Sequence, residues 1–401
     1  MSLESKLCFA LLALLPFRAV AQGTLREAAT AAGLNIGAAV SGNTVTGTNR
    51  AAYQDIVKKE FNTLVCENDM KFQSTEPSQG RFTYNGGDQV LGFAQSNSMN
   101  MRGHTLVWHS QSGWASNLNG TREQMLKVIK DHIDAVVGHY KGKILEWDVV
   151  NEAVSDNSTA LRGSFWQQRI GNDFIDSAFT WAHKADPAAM LYYNDYGAEG
   201  MNTKSNGVYE LVKRMKSNGV PIHGVGLQSH FGANLNKADI DKNIKRLGAL
   251  GLRVSITELD IVDASGSTKP WTDLMDACLA NANCTTFITW GVYDAMSWKA
   301  QGGNCNCLIF DTQLKPKAIH GALLASLAKA DPALTESRKN FANGPTTLAP
   351  AISPRKKPHS FRAGDQGSAV LFPTAPNAAG SGSLVDLRGR SASGISIIPL
   401  P

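Results

Sequence analysis

Short apolar runs rich in β-branched residues alternate along this chain with longer stretches in which apolar residues recur every three or four positions. The first pattern is typical of strands buried on both faces, as in a parallel sheet, and the second of amphipathic helices. The pattern predicts eight strands, at 35–40, 63–67, 101–107, 144–151, 190–193, 224–229, 253–258 and 286–290. It predicts amphipathic helices between them, for example at 50–61, 122–140, 173–185, 204–218, 238–250 and 270–280, and a last helix at 316–329 after strand eight.

This alternation of strands and helices favours one parallel sheet, and eight strands are enough to close it into a barrel. We therefore predict an α/β fold, a (β/α)8 TIM barrel, over residues 22–340. An open doubly wound sheet is the alternative, but no Gly-x-Gly-x-x-Gly follows the first strand. Two helix ends are marked locally, by a capping box at 121–124 and by Gly219.

Two of the predicted strands end in a glutamate, within Trp-Asp-Val-Val-Asn-Glu at 147–152 and Ile-Thr-Glu-Leu-Asp at 256–260. The carboxyl ends of barrel strands are where the active site of this architecture lies. Two carboxyl groups at one barrel mouth are what glycoside hydrolysis needs, one as acid and one as nucleophile or base. Either Glu152 or Glu258 taken alone is equally well read as a surface or salt-bridged residue. The pair at equivalent strand ends favours the catalytic interpretation.

Other polar and aromatic residues also cluster at the predicted strand ends. They are 67–71 after strand two, His104, Trp108 and His109 after strand three, 194–196 after strand five, 228–230 after strand six, Asp260 after strand seven, and Trp290 and Trp298 around strand eight. Sugars offer hydroxyl groups to amide, ammonium and imidazole side chains, and flat C–H faces to aromatic rings. A few convergent polar groups in an apolar surround are the usual form of a ligand site. The set therefore favours a carbohydrate ligand.

The first 21 residues have the pattern of a secretory signal. Lys6 supplies a weakly basic start, and the apolar run at 7–15 is too short to span a bilayer. Ala19-Val-Ala21 fits the small-x-small rule for cleavage and leaves Gln22 as the new N-terminus. We expect a secreted, extracellular protein that does not associate with a membrane.

The formal charge of +5 comes from the two ends of the chain. Segment 1–21 contributes +1 and segment 341–401 contributes +4, so the body between them carries no net charge. A neutral body argues against a nucleic-acid partner and suits a neutral polysaccharide. Segment 341–401 is rich in Pro, Gly, Ser and Ala and has no sustained periodicity, so we predict a disordered basic tail.

Loss of the signal removes Cys8 and leaves five cysteines, an odd number that requires at least one free or intermolecular thiol. Disulfides are compatible with secretion, whereas the cysteine and histidine spacing fits a metal site poorly, and we expect no metal. Asn119, Asn157 and Asn283 begin Asn-x-Ser/Thr sequences and are candidate glycosylation acceptors, the third weakened by the cysteine that follows it.

Together these motifs resemble glycoside hydrolase family ten, the endo-β-1,4-xylanases, of a secreted and fungal-like type. The resemblance covers about residues 25–329, and seven motifs occur in the same order at compatible spacing. It implies a TIM barrel that hydrolyses β-1,4-xylosidic linkages with retention of configuration. It also implies no cofactor, xylan and xylo-oligosaccharides as the binding partners, and a monomeric enzyme.

The resemblance carries residue roles onto the matching positions. Glu152 is expected to be the acid/base and Glu258 the nucleophile. Asn151 is expected to contact the 2-hydroxyl of the sugar at the reacting subsite, and His230 and Asp260 to hold the nucleophile. The expected substrate-binding residues are Glu67, Asn68, Lys71, His104, Trp108 and Gln111 on the non-reducing side, Gln228, Trp290 and Trp298 over the reacting sugar, and Tyr196 toward the leaving group.

The resemblance also supports a disulfide between Cys278 and Cys284, across the turn before strand eight. The pairing of Cys66, Cys305 and Cys307 stays open, with a bridge from Cys66 to the strand-eight loop as one option. Three features depart from the family pattern: Phe72 in place of Trp, Cys66 in place of Pro, and the cysteine-bearing loop at 302–310. The first is expected to preserve packing, and the others affect the shape of the barrel rim.

Two other functions remain as alternatives. The same barrel with two glutamates also suits a hydrolase of cellulose or mixed-linkage β-glucan, because the sequence does not show whether the cleft excludes the hydroxymethyl group of glucose. A catalytically inactive carbohydrate-binding barrel is the other alternative. Intact Glu152 and Glu258 argue against the inactive barrel.

Overall fold

The structure is a computed structural model that describes residues 23–300 and 305–343. Its strands are β1 (Asn35–Val40), β2 (Thr63–Cys66), β3 (Asn100–Trp108), β4 (Glu146–Asn151), β5 (Met190–Asp195), β6 (Gly224–Leu227), β7 (His230–Gly232), β8 (Arg253–Val262) and β9 (Cys284–Thr289). Its helices are α1 (Leu25–Ala31), α2 (Gly42–Thr46), α3 (Ala51–Glu60), α4 (Phe72–Thr75), α5 (Asn85–Ser96), α6 (Gly113–Ser116), α7 (Arg122–His139), α8 (Phe165–Ile170), α9 (Phe174–Ala185), α10 (Thr203–Ser217), α11 (Lys237–Ala249), α12 (Lys269–Leu279), α13 (Ala318–Leu327) and α14 (Pro332–Asn343).

The strands pair in parallel and close on themselves. Strands β1 to β6 follow one another around the sheet, β6 pairs with β8, β8 with β9, and β9 with β1. The short strand β7 continues the path of β6 and pairs with the far end of β8, where His230 lies beside Asp260. The result is a (β/α)8 TIM barrel, which confirms the predicted fold class.

All eight predicted strands occur, and most of their bounds agree within two or three residues. The sixth is divided into β6 and β7, because Ser229 has a φ of 65°, which no residue of a regular strand adopts. Helix α5 lies between β2 and β3, where the alternation implies a helix, but the sequence pattern gave it no bounds. Two glycines near its start obscure the helical pattern. One of them, Gly87, packs directly against Tyr140, because a Cβ at this position would lie 2.2 Å from the tyrosine hydroxyl.

The local signals at helix ends agree with the structure. The side chain of Thr121 accepts a hydrogen bond from the main chain of Gln124, and the side chain of Gln124 accepts one from the main chain of Thr121, which completes the predicted capping box before α7. Gly219, with a φ of 73°, ends α10 as predicted. These contacts fix where two helices of the outer ring begin and end.

The last helix, α14, was not predicted, and the predicted boundary at 340 falls inside it. Arg338 on this helix is fully buried and donates to the main-chain oxygens of Ala32, Leu279 and Cys284. These bonds attach α14 to the barrel. The predicted signal at 1–21 and the predicted tail beyond Asn343 lie outside the described residues.

Cysteine pairing differs in part from the sequence analysis. The predicted disulfide between Cys278 and Cys284 is present. Cys305 and Cys307 pair with each other, and Cys66 is a buried free thiol. The predicted option of a bridge from Cys66 to the loop after the eighth predicted strand, which is β9, is therefore wrong, because Cys66 packs in the hydrophobic core of the barrel.

The three candidate glycosylation acceptors differ in exposure. Asn119 and Asn157 are both exposed. Asn283 is 7% exposed, and its amide donates to the main-chain oxygens of Ile244 and Leu252. A folded chain therefore offers the first two side chains for modification and not the third. Within the described ranges, none of the helices has both the length and the apolar character needed to cross a membrane.

Candidate active site

Glu152 directly follows β4 and has a φ of 57°, in the left-handed region. Such a conformation is uncommon for a residue with a side chain, and it persists only where the surroundings hold it. Here the main-chain N–H of Glu152 donates to the main-chain oxygen of Asn194, at the end of β5, at 2.9 Å. The backbone thus turns the carboxylate toward the barrel mouth.

The Glu152 carboxylate receives hydrogen bonds from three side chains. Trp108 Nε1 lies 2.8 Å from Oε2, and Gln228 Nε2 and Asn151 Nδ2 lie 2.9 Å and 3.2 Å from Oε1. His109 Nδ1 is 3.6 Å from Oε2. Burial lowers the pKa of His109, although the Glu152 carboxylate opposes that shift. His109 is therefore neutral at pH 7 and forms no ion pair with Glu152.

Glu258 lies on β8 with a side chain that is 6% exposed. Asn194 Nδ2 donates to its Oε1 at 2.7 Å, and His230 Nε2 lies 3.3 Å from its Oε2. The other ring nitrogen of His230, Nδ1, lies 2.9 Å from Asp260 Oδ2. One imidazole ring thus stands between two carboxylates.

The position of His230 determines its charge. Burial favours the neutral ring, but the hydrogen bonds to Asp260 and Glu258 outweigh burial and raise the pKa of His230 to about 9. His230 is therefore an imidazolium at neutral pH. A cation beside Glu258 stabilises a negative charge on that carboxylate.

We expect protonation of His230 to stabilise the fold. Because its pKa is about 9 in the folded protein and near 6.5 for an unperturbed histidine, this contribution is complete below about pH 6.5 and disappears as the pH rises through about 9. Urea unfolding of the wild type and His230→Gln should therefore differ most at pH 6. The difference in unfolding free energy should shrink by pH 10, by on the order of 3 kcal/mol. A difference that is constant with pH would contradict the assignment.

The residues predicted on the non-reducing side of the cleft lie just after β2 and on or just after β3. Lys71 Nζ donates to Asn68 at 2.8 Å and stands 5.2 Å and 5.9 Å from the ring centres of Trp108 and Trp290. Burial lowers the pKa of Lys71, opposed by the charges of Glu258, Glu67 and Glu152. Lys71 is thus close enough to interact electrostatically with both candidate catalytic glutamates.

Glu67 and His104 complete this group. Burial raises the pKa of Glu67, and Lys71 opposes that shift. The ring of His104 packs edge-on against Trp290 at 5.3 Å, and its Nδ1 lies 3.0 Å from Asp148, a buried carboxylate paired with Arg102.

Tyr196 belongs to a separate polar group. Its hydroxyl donates to Asp156 at 2.8 Å and accepts from Arg162 at 3.0 Å, while Lys204 Nζ stands 3.5 Å from the centre of its ring. Arg162 also donates to the main-chain oxygen of Glu152 at 3.1 Å. This link places Tyr196 on the side of Glu152 that is formed by the segment after β4.

Trp298 and Gln111 differ in how they connect to the glutamates. The indole of Trp298 is 51% exposed, and its Nε1 donates to Asp260 at 2.7 Å, so it covers the acid that holds His230. Gln111 donates to Ser116 at 3.0 Å in the segment after β3. Among the described residues, no hydrogen bond joins Gln111 to either glutamate.

The sequence departures fit the packing. Phe72, the first residue of α4, is buried and stacks on His132 of α7 with ring centres 3.7 Å apart, so this phenylalanine still packs against the outer helix. The barrel rim after β9, the eighth predicted strand, contains the Cys305–Cys307 disulfide.

Two groups near the site carried no assigned role in the sequence analysis. Asn194 contacts Glu258 and Asn151. The ion pair of Arg102 with Asp148 supports His104 from inside the barrel. Asn194 lies near the carboxyl end of β5, which is the signal that could have pointed to it, whereas Arg102 and Asp148 lie within β3 and β4. Their partners lie on other strands, so their roles follow only from the three-dimensional contacts.

Comparison of the sequence with known proteins identifies a family that the chain matches. The sequence profile of glycosyl hydrolase family 10 matches residues 24–326. The chain is 36% identical over 312 residues to endo-1,4-beta-xylanase B of Thermotoga neapolitana, which covers 75% of this chain and 90% of that protein. It is 36% identical over 334 residues to Exoglucanase XynX of Acetivibrio thermocellus, which covers 78% of this chain but 30% of that longer protein.

A solved structure is similar to this chain in both fold and sequence. Xylanase 10B from Thermotoga petrophila RKU-1, in complex with xylobiose, aligns with a TM-score of 0.74 and 38% sequence identity. The alignment covers 76% of this chain and 97% of that chain.

Proposed function

The chain belongs to glycosyl hydrolase family 10 and is a glycoside hydrolase, and we propose that it hydrolyses internal β-1,4-xylosidic linkages of xylan with retention of configuration. The observation that supports this most strongly is the pair of glutamates at the barrel mouth, joined through Asn194 and Asn151. Each has a different set of partners, as two carboxyl groups with different tasks require.

In the proposed mechanism, Glu258 attacks the anomeric carbon while Glu152 gives its proton to the departing glycosidic oxygen. The C–O bond to the leaving sugar breaks, and an ester bond between the sugar and Glu258 forms. Glu152, now ionised, takes a proton from water, which attacks the same carbon and releases Glu258. Two inversions return the product to the β configuration.

The surroundings support this division of labour. The imidazolium of His230 favours an ionised Glu258, which is the form that attacks. The side chains that donate hydrogen bonds to Glu152 are neutral, Trp108, Gln228 and Asn151, and the neutral His109 lies near it, while the charge of Lys71 acts from farther away. Neutral groups permit a carboxyl group to gain and lose a proton during one cycle.

We propose xylan and xylo-oligosaccharides as the substrates of a monomeric enzyme. The solved relative in complex with xylobiose supports this class of ligand. The exposed Trp298 and the ring of Trp290 offer flat faces to the sugar at the reacting subsite, and Lys71 and Asn68 offer donors on the non-reducing side. Asn151 is proposed to donate to the 2-hydroxyl group.

Reducing-sugar assays on purified xylan test the proposal. We expect hydrolysis of xylan, and proton NMR of the first product should show the β anomer before mutarotation. An initial α anomer would overturn retention, and no hydrolysis of xylan would overturn the function. Hydrolysis of β-glucan is the second candidate, because one relative is named an exoglucanase. A higher initial rate on carboxymethylcellulose than on xylan would favour that candidate.

We also propose that the protein is secreted after cleavage behind Ala21, with glycans at Asn119 and Asn157. The apolar run and small-x-small site at the N-terminus support secretion, and the accessibility of both asparagines supports their modification. N-terminal sequencing and glycopeptide mapping of the protein secreted from a eukaryotic host test this. A mature chain that begins elsewhere, or a glycan at the buried Asn283, would contradict it.

A further inference from the structure

Asn194 lies near the carboxyl end of β5 and has no exposed surface, so it does not form part of the wall that a substrate touches. We propose that Asn194 is a positioning residue, which fixes the Glu258 carboxylate and the Asn151 amide in one geometry. The proposal rests on the catalytic function proposed above for Glu258 and Glu152.

The hydrogen bonds of Asn194 fix the orientation of its amide. Thr257 Oγ1 donates to Asn194 Oδ1 at 2.7 Å, so the oxygen faces Thr257 and the nitrogen faces the opposite side. The two protons on Nδ2 are then directed to Glu258 Oε1 at 2.7 Å and Asn151 Oδ1 at 2.9 Å. Both donors and the acceptor are occupied.

The barrel leaves space for this one arrangement. Gly226 on β6 is the register partner of Asn194 on β5. A Cβ at Gly226 would lie 2.1 Å from Asn194 Oδ1 and 2.9 Å from Thr257 Cγ2. Any side chain at position 226 would displace the amide, so the glycine is part of what positions it.

The same residue reaches both glutamates. Its main-chain oxygen accepts from the main-chain N–H of Glu152, and its side chain holds Glu258. Because Asn151 Oδ1 accepts from Asn194 and Gln228, the nitrogen of Asn151 is turned toward Glu152. Asn194 therefore sets the relative position of the two carboxyl groups and orients the proposed donor to the sugar.

Replacement of Asn194 by alanine tests the role. With an aryl β-xylobioside as substrate, we expect kcat to fall on the order of 100-fold, the size of loss expected from a small misplacement of reacting groups. We expect KM to stay within about twofold, because a fully buried side chain does not contact the sugar. Thr257→Val, which removes the hydroxyl group that orients the amide, should lower kcat by about tenfold with KM again unchanged.

Asn194→Asp keeps the size of the side chain and its acceptor for Thr257, but it places a carboxyl group where Glu258 now receives a donor. Two carboxyl groups in one buried pocket do not ionise independently, so the acidic limb of the kcat/KM profile should move to higher pH by about one unit or more. The matched control is Asn283→Asp, another buried amide, whose partners are main-chain oxygens. Its acidic limb should coincide with that of the wild type.

The outcomes separate this proposal from the proposed function. A wild-type enzyme that does not hydrolyse the xylobioside overturns the function itself. If the wild type is active, a folded Asn194→Ala with kcat within about threefold of the wild type overturns the positioning role. So does an Asn194→Asp profile with an unmoved acidic limb. Should Asn194→Ala fail to fold, the Asn194→Asp profile and the kcat of Thr257→Val decide the matter.

Discussion

Replacing Glu258 by alanine is expected to lower kcat on xylan and on activated aryl β-xylobiosides alike, by more than roughly 10⁴-fold. Without this carboxylate no ester with the sugar forms, and an easily departing phenolate does not help, because the missing group is the one that attacks. Initial rates with xylan and with an aryl β-xylobioside of good leaving-group ability measure both losses.

A matched control separates loss of chemistry from loss of packing. Glu76 is also a buried glutamate bound to a histidine, His132 Nδ1, at 2.9 Å, and lies outside the constellation around Glu258. Glu258→Gln and Glu76→Gln each remove one carboxylate from a buried pair with histidine. We expect the first to be inactive and the second to keep its kcat, even if it melts at a lower temperature. An activated substrate still turned over by Glu258→Ala at near the wild-type rate would overturn the nucleophile assignment.

The positions of both glutamates could be predicted from the sequence because strand ends in a barrel share one rim. Each glutamate ends or interrupts an apolar run, so the pattern that predicts the strand also locates the carboxylate. The same reasoning reaches the polar residues that follow the other strands. This reasoning uses only the local sequence and the number of strands, and together these were sufficient to place the glutamates at the barrel mouth.

What the sequence does not show are contacts between strands that are distant along the chain. The orientation of Asn194 depends on Thr257 and on the absence of a side chain at Gly226, and these three residues lie on β5, β8 and β6. Helix α14 was missed for a related reason, since the buried Arg338 that anchors it binds main-chain oxygens, which no sequence pattern records. The break at Ser229 is likewise a consequence of the fold.

Glu152→Ala is expected to show a different pattern from Glu258→Ala. Hydrolysis of xylan, whose leaving group is a sugar alcohol, needs the proton that Glu152 supplies, so its rate should fall by roughly 10²–10⁴-fold. Formation of the ester should persist with an aryl β-xylobioside, because a phenolate of low basicity departs without a proton. Its breakdown still needs a base, so the ester should accumulate and a burst of phenolate should precede a slow steady state.

Azide distinguishes the roles of the two glutamates. Removal of the Glu152 side chain leaves Trp108 Nε1 and Gln228 Nε2 without the carboxylate they now contact, so two donors face the space that the side chain vacates. Azide needs no base, so it should restore turnover of the aryl β-xylobioside by Glu152→Ala and give the β-xylobiosyl azide after two inversions. In Glu258→Ala, azide would attack directly and give the α product after one inversion. An α-xylobiosyl azide formed by Glu152→Ala would mean that the acid/base and nucleophile assignments are reversed. If Glu152→Ala shows the burst but azide does not accelerate its turnover, Glu152 is not the base that the proposed mechanism requires.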